Sequence, residues 1–107
     1  MTRYSVEWAV TARDDLAAIV AYIAADSPIN ALKVVERIEA RVDTLLSLPM
    51  RGRVVPELGW HGVMSFHELF EKPWRLMYRI ESHQIFIVSV LDGRRNLEDL
   101  LLDRFVR

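Results

Sequence analysis

Two hydrophobic periods, one helical and one of strands, divide this chain of 107 residues, and their order most restricts the folds that the chain can adopt. From residue 10 to residue 48, apolar side chains recur at the spacing of an amphipathic helix. From Val63 onwards they alternate with polar side chains, which is the period of a strand with one buried face. Helices followed by a run of strands predict an α+β fold, in which the helices cover one face of a small, mostly antiparallel sheet.

The helical region divides into two helices at a turn before Pro28. Ser27 is a favourable N-cap, and Pro28 suits the first helical position, where its missing N–H group is not needed. Thr11 is the expected cap of the first helix, and Pro49 should end the second. Residues 10–48 are therefore predicted to form a helical hairpin.

Four segments have the composition and period of strands. The segment RYSVEW precedes the helical hairpin, whereas the other three follow it and are separated by tight turns: VMSFHELF, WRLMYRI and QIFIVSVL. The three later segments predict an antiparallel meander. The connection PMRGRVVPELGWHG is rich in glycine and proline, so we expect it to be an irregular loop.

The segment WRLMYRI should place alternate side chains on opposite faces of the sheet. One set should face the helices: Trp74, Leu76, Tyr78 and Ile80. The other set should lie on the face that the hairpin leaves open: Arg75, Met77 and Arg79. The next segment separates by the same rule into Phe86, Val88 and Val90 on one face and Ile85, Ile87 and Leu91 on the other. An uncovered face with apolar and arginine side chains predicts a binding partner.

The C-terminal segment DGRRNLEDLLL combines a bend with the start of a short helix. A glycine permits the bend, and Asn96 is placed to cap a helix whose first turn holds Glu98 and Asp99. The leucines that follow should dock this helix on the sheet or on a partner. Arg94 and Arg95 remain exposed where the last strand ends, so we expect them to contact a partner.

Charge and composition exclude several classes of function. The 14 basic and 15 acidic residues nearly cancel, so the chain lacks the positive field of proteins that bind nucleic acids mainly through phosphates. It has no cysteine and three dispersed histidines, and we therefore expect no metal and no cofactor. Charged residues interrupt every apolar run that could serve as a signal peptide or a membrane span, which predicts one cytoplasmic domain over residues 1–107.

Several segments, in this order and at these spacings, resemble a known family: VEW, ARDDLAAIVAYIAADSPINA, LLSLPMRGRVVPEL, KPWRLMYRI and VSVLDGRRNLEDLL. The chain is similar over nearly its whole length to the RelE/ParE superfamily of type II toxin–antitoxin toxins, and specifically to its ParE, or plasmid stabilisation, branch. The resemblance implies a cytoplasmic bacterial toxin that causes growth arrest and is neutralised by a cognate antitoxin, whose C-terminal segment wraps the toxin. Homodimers and complexes of two toxins with two antitoxins are the assemblies that it suggests.

Members of the superfamily differ in their target, so the resemblance leaves two activities. RelE-like toxins cut messenger RNA on the ribosome, whereas ParE-like toxins are associated with inhibition of DNA gyrase. RNA cleavage by the neighbouring 2′-hydroxyl needs a base, an acid and cations on the phosphate. The residues available for these roles are His67 or Glu68 as the base, Tyr78 or His61 as the acid, and Arg75 and Arg79 as phosphate clamps.

The pattern of the strands does not favour this nuclease set. Tyr78 shares its parity with the core residues of its strand, and His67 and Glu68 are neighbours that face opposite ways. The chain also has few lysines and carries Asp92 where similar proteins often have histidine. The sequence therefore predicts a gyrase inhibitor that is not an enzyme. The alternatives are a ribosome-dependent mRNA endoribonuclease and a non-toxic relative that binds only its antitoxin.

The predicted contacts with antitoxin or target are mainly arginines: Arg75, Met77, Arg79, Arg94, Arg95, Arg51, Arg53 and Trp60. Structural roles remain open for several of them. Either strand arginine could instead pair with Glu7 or Glu81. Trp60 could cover the edge of the core, and the two loop arginines could be solvated turn residues. We expect the antitoxin peptide to lie against the sheet or in the groove beside the helical hairpin.

Overall fold

A five-stranded sheet in the order β1-β5-β4-β3-β2 forms the centre of the protein. The computed structural model describes residues 3–107. Its elements in chain order are β1 (Ser5–Trp8), α1 (Val10–Ala24), α2 (Pro28–Asp43), β2 (Arg53–Val54), α3 (Pro56–Gly59), β3 (Phe66–Glu71), β4 (Trp74–Glu81), β5 (Gln84–Asp92) and α4 (Glu98–Phe105). β1 runs parallel to β5, and the other neighbouring strands are antiparallel. The α+β fold, the helical hairpin, the meander and the C-terminal helix are thus confirmed.

The helical hairpin of α1 and α2 packs on one face of the sheet. Ser27 accepts a hydrogen bond from the backbone N–H of Asn30 at 3.1 Å, and Pro28 occupies the first turn of α2, as predicted. α1 already includes Thr11, so the predicted Thr11 cap is wrong; the extended backbone ends at Ala9 and the helix follows directly. The core beneath the hairpin includes Ile38, Leu45, Leu76, Tyr78, Ile85 and Ile87. Within residues 3–107, every helix is too short or too polar to cross a bilayer.

α4 covers the opposite face of the sheet, and the expectation of an open face is therefore wrong. A second apolar cluster forms there from three parts of the chain: Leu97, Leu101 and Leu102 near the C-terminus, Met77, Val88 and Leu91 of the sheet, and Val55 and Leu58 around α3. Met77 is 0% exposed and Arg75 is 5% exposed. Neither side chain lies on a free surface, so the prediction that both are exposed contacts is wrong.

A β-bulge in β5 changes the faces of its later side chains. The register between β4 and β5 shifts between Met77 and Tyr78, so that Val88 is an extra residue on β5. Beyond the bulge, Val90 packs in the hairpin core and Leu91 packs in the cluster under α4. Simple alternation places these two residues the other way round, because it contains no bulge.

Asp15 of α1 connects the region of the bulge in β5 with α4, on the other side of the sheet. Its carboxylate accepts a hydrogen bond from the backbone N–H of Val90 at 3.0 Å and pairs with Arg104 of α4 at 2.8 and 3.0 Å. Arg104 also donates to the buried Ser89 hydroxyl at 2.9 Å. The carboxylate thus satisfies a backbone donor at the bulge and holds the end of α4 against the sheet.

The connection before β3 contains regular structure, so the prediction of an irregular loop is wrong. Val54 pairs with His67 across β2 and β3, and Pro56 begins α3. Proline fits the start of α3 for the same reason that it fits the start of α2. The short helix places Glu57 beside Arg75, which lies on β4.

Candidate partner-binding site

Arg75 lies at the centre of a buried ion network. Its Nε donates to Glu68 at 2.7 Å, and its two terminal nitrogens donate to the two oxygens of Glu57 at 2.6 and 2.7 Å. The Glu68 side chain, which is 0% exposed, also accepts from Arg53 at 2.7 Å. The bidentate pair with Glu57 raises the pKa of Arg75 and lowers the pKa of Glu57. Arg75 is therefore a structural cation that joins α3 to the sheet.

The residues predicted for RNA cleavage do not form a set of base, acid and phosphate clamp. Glu68 and Arg75 lie next to each other, but they form a buried ion pair and are therefore not available as a base and a phosphate clamp. His67 lies on the opposite face of β3, with its ring 5.8 Å from that of Tyr78. The Glu68 side chain is 0% exposed and the Arg75 side chain is 6% exposed, so neither is presented to an RNA strand at the surface.

The Tyr78 hydroxyl also has a structural role. Its hydroxyl donates to the Pro49 carbonyl at 2.9 Å and accepts from the Gly52 N–H at 3.0 Å. Burial raises the pKa of Tyr78. A Cβ atom on Gly52 would lie 2.5 Å from the Tyr78 hydroxyl oxygen, so only glycine allows this approach. Tyr78 thus anchors the connection after α2 rather than facing a substrate.

Replacing Tyr78 by phenylalanine should lower the free energy of unfolding by about 1–3 kcal/mol, because the Gly52 N–H and the Pro49 carbonyl lose their partner. Urea denaturation measures the change. Tyr22→Phe is the matched control, since Tyr22 is 83% exposed, and we expect it to change stability by less than about 0.5 kcal/mol. Equal effects of the two substitutions would show that the Tyr78 hydroxyl does not hold the connection.

The lowered pKa of Glu57 predicts a loss of stability in acid. Its ordinary value is 4.5, and the pair with Arg75 holds the folded pKa below that. The stabilisation is therefore complete above pH 4.5 and is lost as the pH falls through the lower folded pKa. We expect Glu57→Gln to flatten the decrease in the urea midpoint as the pH falls below 4.5. Parallel pH profiles for the variant and the wild type would contradict this assignment.

Arg94 and Arg95 lie in the exposed turn between β5 and α4. Arg94 donates to the Asp92 carboxylate from its backbone N–H, Nε and Nη2 at 2.9, 3.0 and 2.7 Å. These contacts lower the pKa of Asp92 to about 2. Arg95 donates only its backbone N–H, to the Asp92 carbonyl, and its side chain has no ion pair within residues 3–107. Asn96 accepts from the N–H of Glu98 at 3.3 Å, but the N-cap of α4 is Leu97, so the predicted Asn96 cap is wrong by one residue.

The other predicted contact residues occupy separate parts of the surface. Arg79 pairs with Glu81, which is one of the structural roles left open by the sequence. Arg53 is in β2 and Arg51 lies just before it, and the Arg53 guanidinium is 4.9 Å from the centre of the exposed Phe70 ring of β3. Trp60 is 68% exposed and does not cover the core. These side chains lie at the end of β4, beside β2 and after α3, and they do not form one surface.

Sequence reasoning allowed for a peptide beside the hairpin but missed how much apolar surface α1 leaves exposed. Every residue from Leu16 to Ala24 is apolar, yet Ala12 is the one residue of α1 that is fully buried in the described chain. A helix that is apolar on all sides is normally covered on all sides. The uninterrupted apolar run was the signal, but helical periodicity assigns such residues to the core.

Two grooves flank α1. The β1 groove, of about 680 Å³, lies between α1 and β1 and is lined by Val6, Trp8, Arg13, Leu16, Ala17 and Val20. The Arg95 pocket, of about 340 Å³, lies on the other side of α1 and is lined by Ala18, Ile19, Tyr22, Trp74, Leu91 and Arg95. Both volumes fall within the range of ligand and peptide sites. No group of three or more His, Asp or Glu side chains in residues 3–107 is arranged to hold a metal ion.

Comparison with known proteins agrees with this architecture. This chain is similar to a solved structure described as a chromosomal ParDE TA (toxin–antitoxin) system from P. aeruginosa, with a TM-score of 0.66 and 27% sequence identity. The match covers 83% of this chain and 95% of the chain in that structure. Toxin ParE3 from Caulobacter vibrioides (strain ATCC 19089 / CIP 103742 / CB 15) is 35% identical over 72 residues, which are 64% of this chain and 68% of that protein.

The fold and these relatives define the toxin component of a type II toxin–antitoxin system. Residues 6–97 match the family model for the ParE toxin of the type II toxin-antitoxin system parDE. The chain belongs to the ParE toxin family, and the family resemblance of the sequence is confirmed.

Proposed function

We propose that this chain inhibits DNA gyrase by binding to it and that a cognate antitoxin neutralises it. The observation that carries the binding mechanism is the mutual burial of Arg75 and Glu68, because a phosphate clamp and a base for RNA cleavage are then unavailable. The chain belongs to the ParE toxin family, and the resemblance of its sequence implies the branch that is associated with gyrase. The toxin acts in the cytoplasm as one domain of residues 1–107.

The β1 groove is the proposed site of the antitoxin. Both faces of the sheet are covered, so a peptide cannot lie flat against it. Within residues 3–107, β1 pairs with β5 alone, and its outer edge has backbone groups free for another strand. An extended antitoxin segment would add to this edge and place alternate apolar side chains between Val6, Trp8 and Leu16. The ParDE system among the relatives supports an antitoxin as the partner.

Controlled expression in bacteria tests the target. Within minutes of induction without antitoxin, we expect growth arrest, loss of negative supercoiling in a reporter plasmid and intact transcripts. Cleaved transcripts with a normally supercoiled plasmid would instead indicate an endoribonuclease. Unaffected growth would indicate a relative that binds an antitoxin without being toxic. Co-expression of the cognate antitoxin is the control, and it should restore growth and supercoiling.

A further inference from the structure

The Arg95 pocket has apolar walls and an arginine-rich mouth. α1 contributes Ala18, Ile19 and Tyr22, and the ends of β4 and β5 contribute Trp74 and Leu91. Tyr22 is 83% exposed, although it is a large side chain on a helix that packs on the core. The walls therefore present aromatic surface to solvent on two sides of one concavity, which is the usual setting for a single apolar anchor of a partner.

The charges at the mouth favour an acidic partner, because the carboxylates of the pocket are already satisfied. Asp15 accepts a hydrogen bond from the Val90 N–H and pairs with Arg104, and Asp92 pairs with Arg94. Arg94 is still 76% exposed and uses Nε and Nη2 for Asp92, which leaves Nη1 available. Arg95 is exposed, and its guanidinium has no hydrogen bond or ion pair within residues 3–107. The free donors of the pocket are thus cationic, and acidic groups would complement them.

The position of α1 connects this pocket with the β1 groove. The two sites lie on opposite sides of the same helix, and the ridge between them carries the exposed small residues Ala17, Ala18 and Ala21. Small side chains allow the backbone of a second chain to approach closely. One peptide can therefore cross α1 and occupy both concavities, which would cover the apolar helix on both sides.

We propose that the Arg95 pocket binds an acidic segment of the antitoxin, which inserts one large apolar side chain between Tyr22 and Trp74 and places carboxylates on Arg94 and Arg95. This inference rests on the proposed neutralisation by an antitoxin and adds a second contact to the one at the β1 groove. It also gives Arg94 and Arg95 a role that does not require contact with nucleic acid.

Titration of the ¹⁵N-labelled full chain with a synthetic peptide tests the pocket directly. The probe is N-acetyl-Asp-Glu-Trp-Leu-Glu-Asp-amide, and the control peptide has serine in place of tryptophan and leucine. We expect NMR shift changes in the amides of Ala18, Tyr22 and Arg95 and in the Trp74 indole N–H for the probe alone. Arg95→Glu should weaken binding by about tenfold or more, and added salt should weaken it further.

Arg37→Glu is the matched control for charge, because Arg37 is exposed on α2 and lines neither the β1 groove nor the Arg95 pocket. It makes the same change in net charge and should alter the Kd by less than roughly twofold. Tyr22→Ala should also weaken binding, since it removes one wall without disturbing the core. Absence of shifts in the pocket, equal weakening by the two charge reversals, or equal binding of the control peptide would each overturn the proposal. Gyrase and antitoxin are absent from this titration, so its failure would leave the proposed target untouched.

Discussion

Replacing Arg75 by alanine should lower the free energy of unfolding by about 3–5 kcal/mol, because it leaves Glu57 without its ion-pair partner and leaves the buried Glu68 with Arg53 alone. Glu68 has a side chain that is 0% exposed, and Glu57 is 14% exposed. Removing all three Arg75 hydrogen bonds also strips α3 of its main polar contact with β4. Equilibrium denaturation in urea at pH 7 measures the loss.

Arg79→Ala provides the comparison on the same strand. Arg79 pairs with Glu81 at the surface, and such pairs contribute about 0–1 kcal/mol. A triple substitution, Arg75→Met with Glu57→Gln and Glu68→Gln, should recover part of the stability lost in Arg75→Ala, since no charge is then left buried. If Arg75→Ala cost no more than Arg79→Ala, the buried network would not be a structural element of this fold.

The fate of Arg75 changes how toxicity data should be interpreted. Loss of toxicity in Arg75→Ala fits a catalytic phosphate clamp, but it also fits unfolding of a marginally stable domain. The two are separated by measuring the stability of the same variant. We therefore expect loss of toxicity at Arg75 to follow the loss of folded protein, whatever the target.

Replacing Leu101 by alanine should cost about 2–5 kcal/mol, through lost burial and the cavity left beneath α4. Leu101 is 0% exposed and packs in the cluster that covers Met77 and Val88. Urea denaturation measures the global effect. Hydrogen exchange at the Met77 amide should quicken as well, because the helix that covers this face is held less tightly.

Val106→Ala is the control at the C-terminal end of α4. Val106 is 48% exposed, so its truncation should change stability by less than about 0.5 kcal/mol. A Leu101→Ala variant as stable as Val106→Ala would contradict the packing of α4 on the sheet. The face would then be open, as alternation in β4 alone predicts.

Local patterns were sufficient to predict most of the fold. Ser27 and Pro28 mark the start of α2 through the chemistry of a cap and of a first helical turn, which depends on adjacent residues alone. The period of the strands likewise places Leu76 and Tyr78 under the hairpin. These features could be predicted because each is decided within a few positions of the chain.

The errors concern contacts between distant segments. Whether a short leucine-rich helix covers a sheet or a partner depends on the geometry of the whole sheet, so the burial of Met77 was not predictable from β4. The sequence predicted an exposed Arg75 because its partner Glu57 lies in α3, which forms within a segment rich in glycine and proline that was expected to be a loop. The bulge at Val88 likewise becomes evident only when β4 and β5 are paired.

The candidate site was predicted in part. Exposure of Arg94 and Arg95 follows from their place at the end of a strand, and the structure places both there. Trp74 was expected to face the helices, and it does pack in part against the hairpin core, whereas the helical spacing of α1 did not single out Tyr22. Partial burial of an apolar residue is a property of the assembled surface, and along α1 only Ala12 is fully buried in the described chain.

Supercoiling of relaxed plasmid by purified DNA gyrase tests the central claim most directly. The isolated toxin should abolish ATP-dependent supercoiling in a concentration-dependent manner, while relaxation of the same plasmid by topoisomerase I should continue unchanged. Arg37→Glu is expected to fold normally. It should inhibit supercoiling as the wild type does when gyrase makes no contact with the α2 surface around Arg37. Full supercoiling at saturating concentrations of folded toxin would contradict the proposed function. Cleavage of messenger RNA on purified ribosomes by the same preparation would indicate that the protein is a nuclease instead.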